Sequence, residues 1–448
     1  MRLPTLFRAA LAIAFLGASA RGEPPSAKRD LGDLVAAALS NNPSTRAAWF
    51  RALAAESAVG EARAPYWPRL MASFSGGADR GYTPAATAPD NFHRQSVTAT
   101  LALEYVLLDF GRRASDVNRT LAAMDAAGFA FDRNLQNVVF AVQRAYFAHE
   151  AAVWSLAAAR VARDSAATDL ETIHREAAAG LADDPQVAEA VRAARESEYE
   201  VAAAEAAVRN TRGALCVAAG LPANTPLEIP AGDGPPPAAG LLADVGHLID
   251  LAVAGRPDLL ALAADVRAAE AGERRARADF WPEVRISASY SSESFRYDAK
   301  DGKVAGRYGE HLNGYTAFLE VGWDLFDGFE RTERLRRRKA ETEAARAALD
   351  DARLRASNDV WSAFNDQFAA SREVAYTESL VAAGEESFAA AEAAFKNDLL
   401  DIAAFDAART RLADSKSARA GAVAAHSTAL AALANAIGAD GLRGPMPP

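Results

Sequence analysis

Two tryptophan–proline pairs limit what this chain can fold into. "ARAPYWPRL" runs from Ala62 to Leu70, and "ARADFWPEV" runs from Ala276 to Val284. Trp281 lies 214 positions beyond Trp67 (281 − 67), and at the same offset Leu34 meets Leu248, Pro43 meets Pro257 and Ala54-Ala55-Glu56 meets Ala268-Ala269-Glu270. Past a loop the offset becomes 218: Tyr105 meets Trp323, Asp109 meets Asp327, Arg113 meets Arg331 and Gly220 meets Gly438. The chain is a duplication whose units are far longer than solenoid repeats, so its fold is built twice. The first copy spans residues 21–220 and the second 245–438, with a Pro/Gly-rich linker at 221–244 ("LPANTPLEIPAGDGPPPAAG" from Leu221) and a tail at 439–448.

Each copy reads helix, strand, strand, helix, helix. The first helix is expected over Leu31–Ala64, stopped by Pro65 and Pro68. The hydrophobic period then shortens to two. Strands are expected at about 69–76 and 96–107 in the first copy, and at about 284–291 and 313–324 in the second. Val284, Ile286, Ala288 and Tyr290 share one face, while Arg285, Ser287 and Ser289 share the other. The segments Ala78–Gln95 and Ser291–Leu312 read as connections too long for tight hairpins. A helix from Arg112 to about Ala178 follows, roughly 100 Å long at 1.5 Å per residue. Val117, Leu121, Met124, Gly128, Phe131, Leu135, Val138, Val142 and Ala145 give it a coiled-coil seam, and Val139, Tyr146 and Val153 give it a second contact face. After Gly180 the chain turns into a helix over about Pro185–Ala219, and the second copy turns at Asn397–Asp401.

The N-terminus reads as a secretory signal over residues 1–20. Arg2 and Arg8 precede a short apolar core around Leu11–Leu16, and Ala18-Ser19-Ala20 is a cleavage site. That core is too short to span a membrane, and no later run of about 20 apolar residues predicts a spanning helix. The single cysteine, Cys216, has no partner for an internal disulfide and reads as core. A net charge of −10 argues against nucleic acid as a partner.

Four strands with one apolar and one small-polar face, ending on Tyr105 and Trp323 in a secreted chain, carry a transmembrane β-strand pattern. Leu70, Phe74, Leu101, Leu103, Ile286, Ala288, Leu319 and Val321 are the expected lipid-facing residues. Four strands do not close a barrel, and open edges do not persist in lipid, so several subunits must contribute strands. Two chains give 8 strands, a bore that side chains fill, whereas three give 12 and leave a passage. Trp67, Pro68, Trp281 and Pro282 then mark where each copy passes from periplasmic helix into membrane strand.

With these residues in place, the chain resembles the TolC-like outer membrane factor family, the outer membrane efflux proteins. The resemblance rests on "ALSNNPSTRAA" (Ala38–Ala48), both Trp-Pro segments, "LFDGFER" (Leu325–Arg331) and "FDAARTRL" (Phe405–Leu412), and it covers nearly the whole mature chain. It implies a mostly α fold with a transmembrane β-barrel portion: a homotrimer sharing one 12-stranded barrel above a long α-helical coiled-coil tunnel. It also implies a Gram-negative outer membrane location, contact with outer membrane lipid, and a periplasmic adaptor with an inner-membrane transporter docking at the helical tips. The function implied is a passive duct of a tripartite efflux or type I secretion system. Family members often close the tip with a ring of aspartates. Asp406 matches the family position, the residue three earlier is Ala403, and Asp398 and Asp401 lie at the same turn. Asp398 also reads as a residue that solvates the turn. A turn glycine and a lipid-bearing N-terminal cysteine found in relatives are absent here.

No catalytic constellation, cofactor motif or metal-ligand spacing is present, so no enzymatic role and no cofactor is expected. The basic run Arg334–Lys339 reads as a solvated helix face or a contact for anionic groups at the inner leaflet. A secreted trimeric coiled-coil stalk or adhesin with a β-barrel membrane anchor is the alternative reading. A stalk would place helices and strands at opposite ends of the chain, whereas here helices bracket each strand pair.

Overall fold

The computed structural model describes residues 29–82, 91–229, 244–301, 306–397 and 399–438. Each copy contains two short helices, two strands and two long helices. In the first copy these are α1 (Leu31–Asn41), α2 (Pro43–Arg63), a 3-10 turn (Ala64–Tyr66), β1 (Arg69–Tyr82), β2 (Asn91–Leu108), α3 (Arg112–Ala178) and α4 (Asp184–Ala218). In the second they are α5 (Val245–Gly255), α6 (Pro257–Ala278), β3 (Glu283–Asp301), β4 (Gly306–Gly322), α7 (Glu330–Lys396) and α8 (Ile402–Ile437). The signal segment, most of the linker, the C-terminal tail and Asp398 lie outside the described residues.

The single helix expected over Leu31–Ala64 is two helices. Pro43 opens α2 and Pro257 opens α6, and the preceding Asn42 and Arg256 are extended (ψ 124° and 126°), as a residue before proline must be. The strands are also longer than expected. Pairing continues to Tyr82↔Asn91 and Ala299↔Gly306, so most of the segments read as long connections are ladder. Asp79, Arg80, His93 and Arg94 make these extensions polar on both faces, which erases the two-residue hydrophobic period. β4 stops at Gly322, short of the expected 324.

The chain divides into two compact units. The first takes residues up to 51, 128–260 and 350 onward, and it holds two equivalent cores. Leu34, Ala38, Val138, Val142, Leu215 and Cys216 join α1, α3 and α4. Leu248, Ala252, Val360, Ala363, Leu433 and Ile437 join α5, α7 and α8. Leu34 and Leu248, Val142 and Val360, and Leu215 and Leu433 are matched pairs of the duplication. Within this unit Trp49 meets Phe131 of the coiled-coil seam edge-on, with ring centroids 5.7 Å apart. Ala404–Ile437 of α8 is the one described helix long and apolar enough to cross a membrane, but Ala420, Val423 and Leu433 on it are buried.

The glycine ending each copy's last helix lies against the pre-proline residue of its first. Gly220 has φ +74°, and a Cβ there would sit 2.9 Å from the Asn42 backbone nitrogen. Gly438 has φ +79°, and its Cβ would meet Arg256 at 3.0 Å. Gly180 has the same φ of +74° with open space around it. Gly180→Ala is therefore expected to cost only the left-handed backbone penalty, about 1–2 kcal/mol, and Gly220→Ala clearly more. Thermal unfolding of the two variants checks this, and equal losses would show that the close approach is unimportant.

The second unit takes residues 52–127 and 261–349. Its strands form one antiparallel sheet in the order β1-β2-β3-β4, with β2 and β3 joining the two copies. The outer edges, on β1 and β4, have no partner among the described residues.

Candidate functional site

Pairing register fixes which side chains share a face, because opposed residues in a ladder point the same way. Leu70 pairs with Leu103, Leu103 with Ala288 and Ala288 with Ala317. Tyr105 pairs with Ile286, Ile286 with Leu319 and Val284 with Val321. Leu101 lies between Ala72 and Tyr290, and Phe74 opposes Ala99. All eight residues singled out as lipid-facing therefore stand on one face of the sheet. It is uncovered within the chain: Phe74 is 81% exposed, Leu319 66% and Leu70 65%. The opposite face carries Ser73, Thr100, Ser289 and Thr316, and the last two hydroxyls lie 2.8 Å apart.

Trp67-Pro68 and Trp281-Pro282 stand immediately before β1 and β3. The nitrogens of Trp67 and Trp281 donate to Ala64 and Ala278 carbonyls at 3.0 and 3.2 Å, closing the last turn of each helix. Both indoles are exposed. The side chain that fixes each bend comes from elsewhere. The Arg113 guanidinium donates to Asp109 at 2.8 Å, to the Val106 carbonyl at 2.8 Å and to the Pro65 carbonyl at 3.1 Å, and it lies 4.7 Å from the centre of the Tyr66 ring. Its duplicate, Arg331, donates to Asp327 at 2.7 Å and to the Asp279 carbonyl at 3.5 Å, and it lies 5.5 Å from the Phe280 ring. One arginine per copy thus ties the turn leaving the strand pair to the turn entering it. Asp109 and Asp327 also accept from the backbone nitrogens of Arg113 and Arg331, capping α3 and α7. Burial pushes the Asp109 carboxyl up, but hydrogen bonds and the charge of Arg113 outweigh it and hold it below the usual carboxylate range.

Both turns use two consecutive left-handed residues, with the glycine in opposite places. Phe110 and Gly111 have φ of +50° and +95°, while Gly328 and Phe329 have +67° and +71°. Phe110 is held by stacking on Trp281, with centroids 5.4 Å apart. The Asp–Arg repeat was visible at the 218 offset, but its reach back to Pro65 and Asp279 was not.

The turns between the long helices lie in the first unit. Gly180 (φ +74°) follows α3, and a capping box between Asp183 and Gln186 starts α4. Asp401 is exposed and caps α8, accepting from the Ala404 nitrogen at 2.7 Å. Asp406 is different: it is 8% exposed and ion-paired with Arg409, which also grips Asp169 on α3. Burial raises the Asp169 carboxyl, against the opposing pull of Arg409. Phe405 stacks on Phe395 at 4.8 Å beside this group. The structure does not bring Asp401 and Asp406 together. Nothing in the sequence links Arg409 to Asp169, because 240 residues separate them.

Residues 34–221 and 248–439 match the model of the outer membrane efflux protein family, one stretch for each copy. The chain belongs to the outer membrane efflux protein family. Protein CyaE of Bordetella pertussis is 30% identical over 364 residues, which are 78% of this chain and 72% of that protein. A membrane protein from Pseudomonas aeruginosa has a similar structure, with TM-score 0.78, 24% identity and coverage of 91% of this chain and 90% of that one. The MtrE outer membrane channel of Neisseria gonorrhoeae, solved in an open state, has TM-score 0.74 at 19% identity, covering 91% and 88%. The chain is an outer membrane duct of the efflux or secretion kind, with a large periplasmic helical part. Its family and structural neighbours are channels rather than enzymes. The basic run below the sheet is largely neutralised, with Arg334 bonded to Asp279 at 3.1 Å, and Arg337 and Arg338 paired with Glu341.

Proposed function

We propose that three copies close this sheet into one 12-stranded barrel and extend their helices as a coiled-coil tunnel. The tunnel passively conducts substrate delivered by an inner-membrane transporter through a periplasmic adaptor that docks at the helical tips. One observation carries the reading: a four-stranded sheet with an uncovered apolar face and two open edges. Lipid covers such a face, and only neighbouring chains satisfy such edges, because each unpaired backbone group in lipid costs several kcal/mol. The eight apolar residues from Leu70 to Val321 face lipid, and the two Trp-Pro pairs sit where the helices meet the barrel. This reading rests on the chain's membership of the outer membrane efflux protein family.

Asp398, Asp401 and Asp406 form the gate region, with divided roles. Asp401, exposed at the tip, supplies the negative charge that concentrates cations at a narrow opening. Asp406 acts through Arg409, holding α8 against α3. The test is single-channel recording of the purified protein in planar bilayers. Asp401→Ala is expected to lower cation selectivity and weaken block by multivalent cations without altering the helical fold. Asp406→Ala is expected to change opening rather than selectivity, because its carboxylate is buried. An absence of channels from correctly assembled protein would overturn the duct, and unchanged selectivity in Asp401→Ala would remove that residue from the constriction.

A further inference from the structure

Within the second unit the two copies meet along β2 and β3, and this internal contact is a template for the contact the open edges must make. Arg112, at the start of α3, donates to Glu283, at the start of β3, at 3.0 Å. One turn further along α3, Asp116 accepts from Arg275 of α6 at 3.0 Å. The duplication carries Arg112 and Asp116 onto Glu330 and Arg334 of α7, and Glu283 and Arg275 onto Arg69 and Glu61. Every one of the four charges is reversed. Neither Glu61 nor Arg69 has an ion-pair partner among the described residues, and both are exposed. Glu330 and Arg334 pair with each other on α7.

The strand ends tell the same story. In the first copy Tyr105, Val106 and Leu108 remain in β2 because Ile286, Arg285 and Val284 pair with them. Their equivalents Trp323, Asp324 and Phe326 lie beyond the end of β4, which has no neighbour on that side among the described residues. Trp323 is 58% exposed, Leu325 79% and Phe326 75%.

We propose that the β4 edge of one copy takes the β1 edge of the next in the β2–β3 register, and that a charge-reversed ion-pair set locks the joint. In this register Leu103↔Ala288 becomes Val321 opposite Phe74 of the next copy, and Leu101↔Tyr290 becomes Leu319 opposite Gly76 of the next copy. Trp323–Phe326 then join the ladder, Glu330 meets Arg69 of the next copy, and Arg334 meets Glu61 of the next copy. The open edges among the described residues are β1 and β4, so this joint repeats head to tail from copy to copy. This rests on the reading of a barrel shared between copies and adds its register and its lock.

The test uses full-length protein purified from the outer membrane in detergent, with Cys216 retained because it is buried. Glu330→Arg and Arg69→Glu are each expected to shorten the lifetime of the SDS-resistant trimer roughly tenfold, and the double variant to recover most of it. Separately, Val321→Cys with Phe74→Cys is expected to give covalent oligomers up to the trimer under oxidation, faster than Val321→Cys with Ala72→Cys. The cross-linking arm keeps native charges, so it reports the register even if a charge reversal prevents assembly. If the protein is trimeric but the charge variants show no coupling, or the shifted cysteine pair links faster, this lock and register are wrong while the shared barrel stands. A wild-type protein that is monomeric overturns both.

Discussion

Leu101→Arg is expected to abolish the assembled form in the outer membrane, and Ser287→Arg to leave it nearly intact. The two positions lie on adjacent strands of one sheet but on opposite faces. Leu101 pairs with Ala72 and Tyr290, on the uncovered apolar face. Ser287 lies between Glu104 and Phe318, on the face that carries Ser289 and Thr316. An arginine facing the bilayer midplane costs about 2–4 kcal/mol, and in a trimer the penalty is incurred three times. On the other face, the new guanidinium meets water and the Glu104 carboxylate. Ala288→Arg should behave like Leu101→Arg, because Ala288 pairs with Leu103. Gel migration with and without heating, applied to outer membrane fractions, reads the result. Equal yields of the three variants would mean that the faces are assigned the wrong way round.

Arg113→Met is expected to be the most damaging single change at the bends. Methionine keeps much of the packing volume but donates no hydrogen bond, so Asp109 loses its cation and the carbonyls of Val106 and Pro65 lose their donor. Removing one partner of a buried pair costs about 3–5 kcal/mol; here water reaches the rim of the site, so about 2–3 kcal/mol is expected. The pH dependence has a definite sign. The folded Asp109 carboxyl titrates below its usual value, so its contribution is complete above that value and is lost as pH falls through the folded pKa. Wild-type protein should therefore lose this increment only in strong acid, while Arg113→Met should have lost it already at neutral pH. Stability of both proteins, measured from neutral to acid pH, checks this. A constant gap across the whole range would mean that Asp109 and Arg113 are not coupled.

Much of the fold was written in the residues, and the rest fails to show for definite reasons. The Trp-Pro pairs marked both strand starts, because a helix ending at proline before an alternating segment is a local event. The helix from Arg112 to Ala178 was legible from Ala-rich composition and heptad spacing, which act over a few turns. The break at Asn42 does not show although Pro43 repeats at Pro257: proline is tolerated in the first helical turn, so its presence does not by itself declare a boundary. The ends of β1 and β2 were missed because Asp79, Arg80, His93 and Arg94 pair through the backbone while showing polar side chains on both faces. The apolar face could be read because alternation is local. The Arg113 clamp could not, since it spans the 48 residues back to Pro65. Asp406 looked like a free tip charge beside Asp401, but a short Ala-rich context conceals a partner that the fold brings from Asp169 through Arg409.

Mass measurement of the detergent-solubilised, unheated protein tests the central claim most directly. The expected result is a single species of three chains, with no folded monomer at any dilution that keeps the sheet intact, because the outer edges of β1 and β4 have no partner among the described residues. A monodisperse folded monomer would contradict the shared barrel.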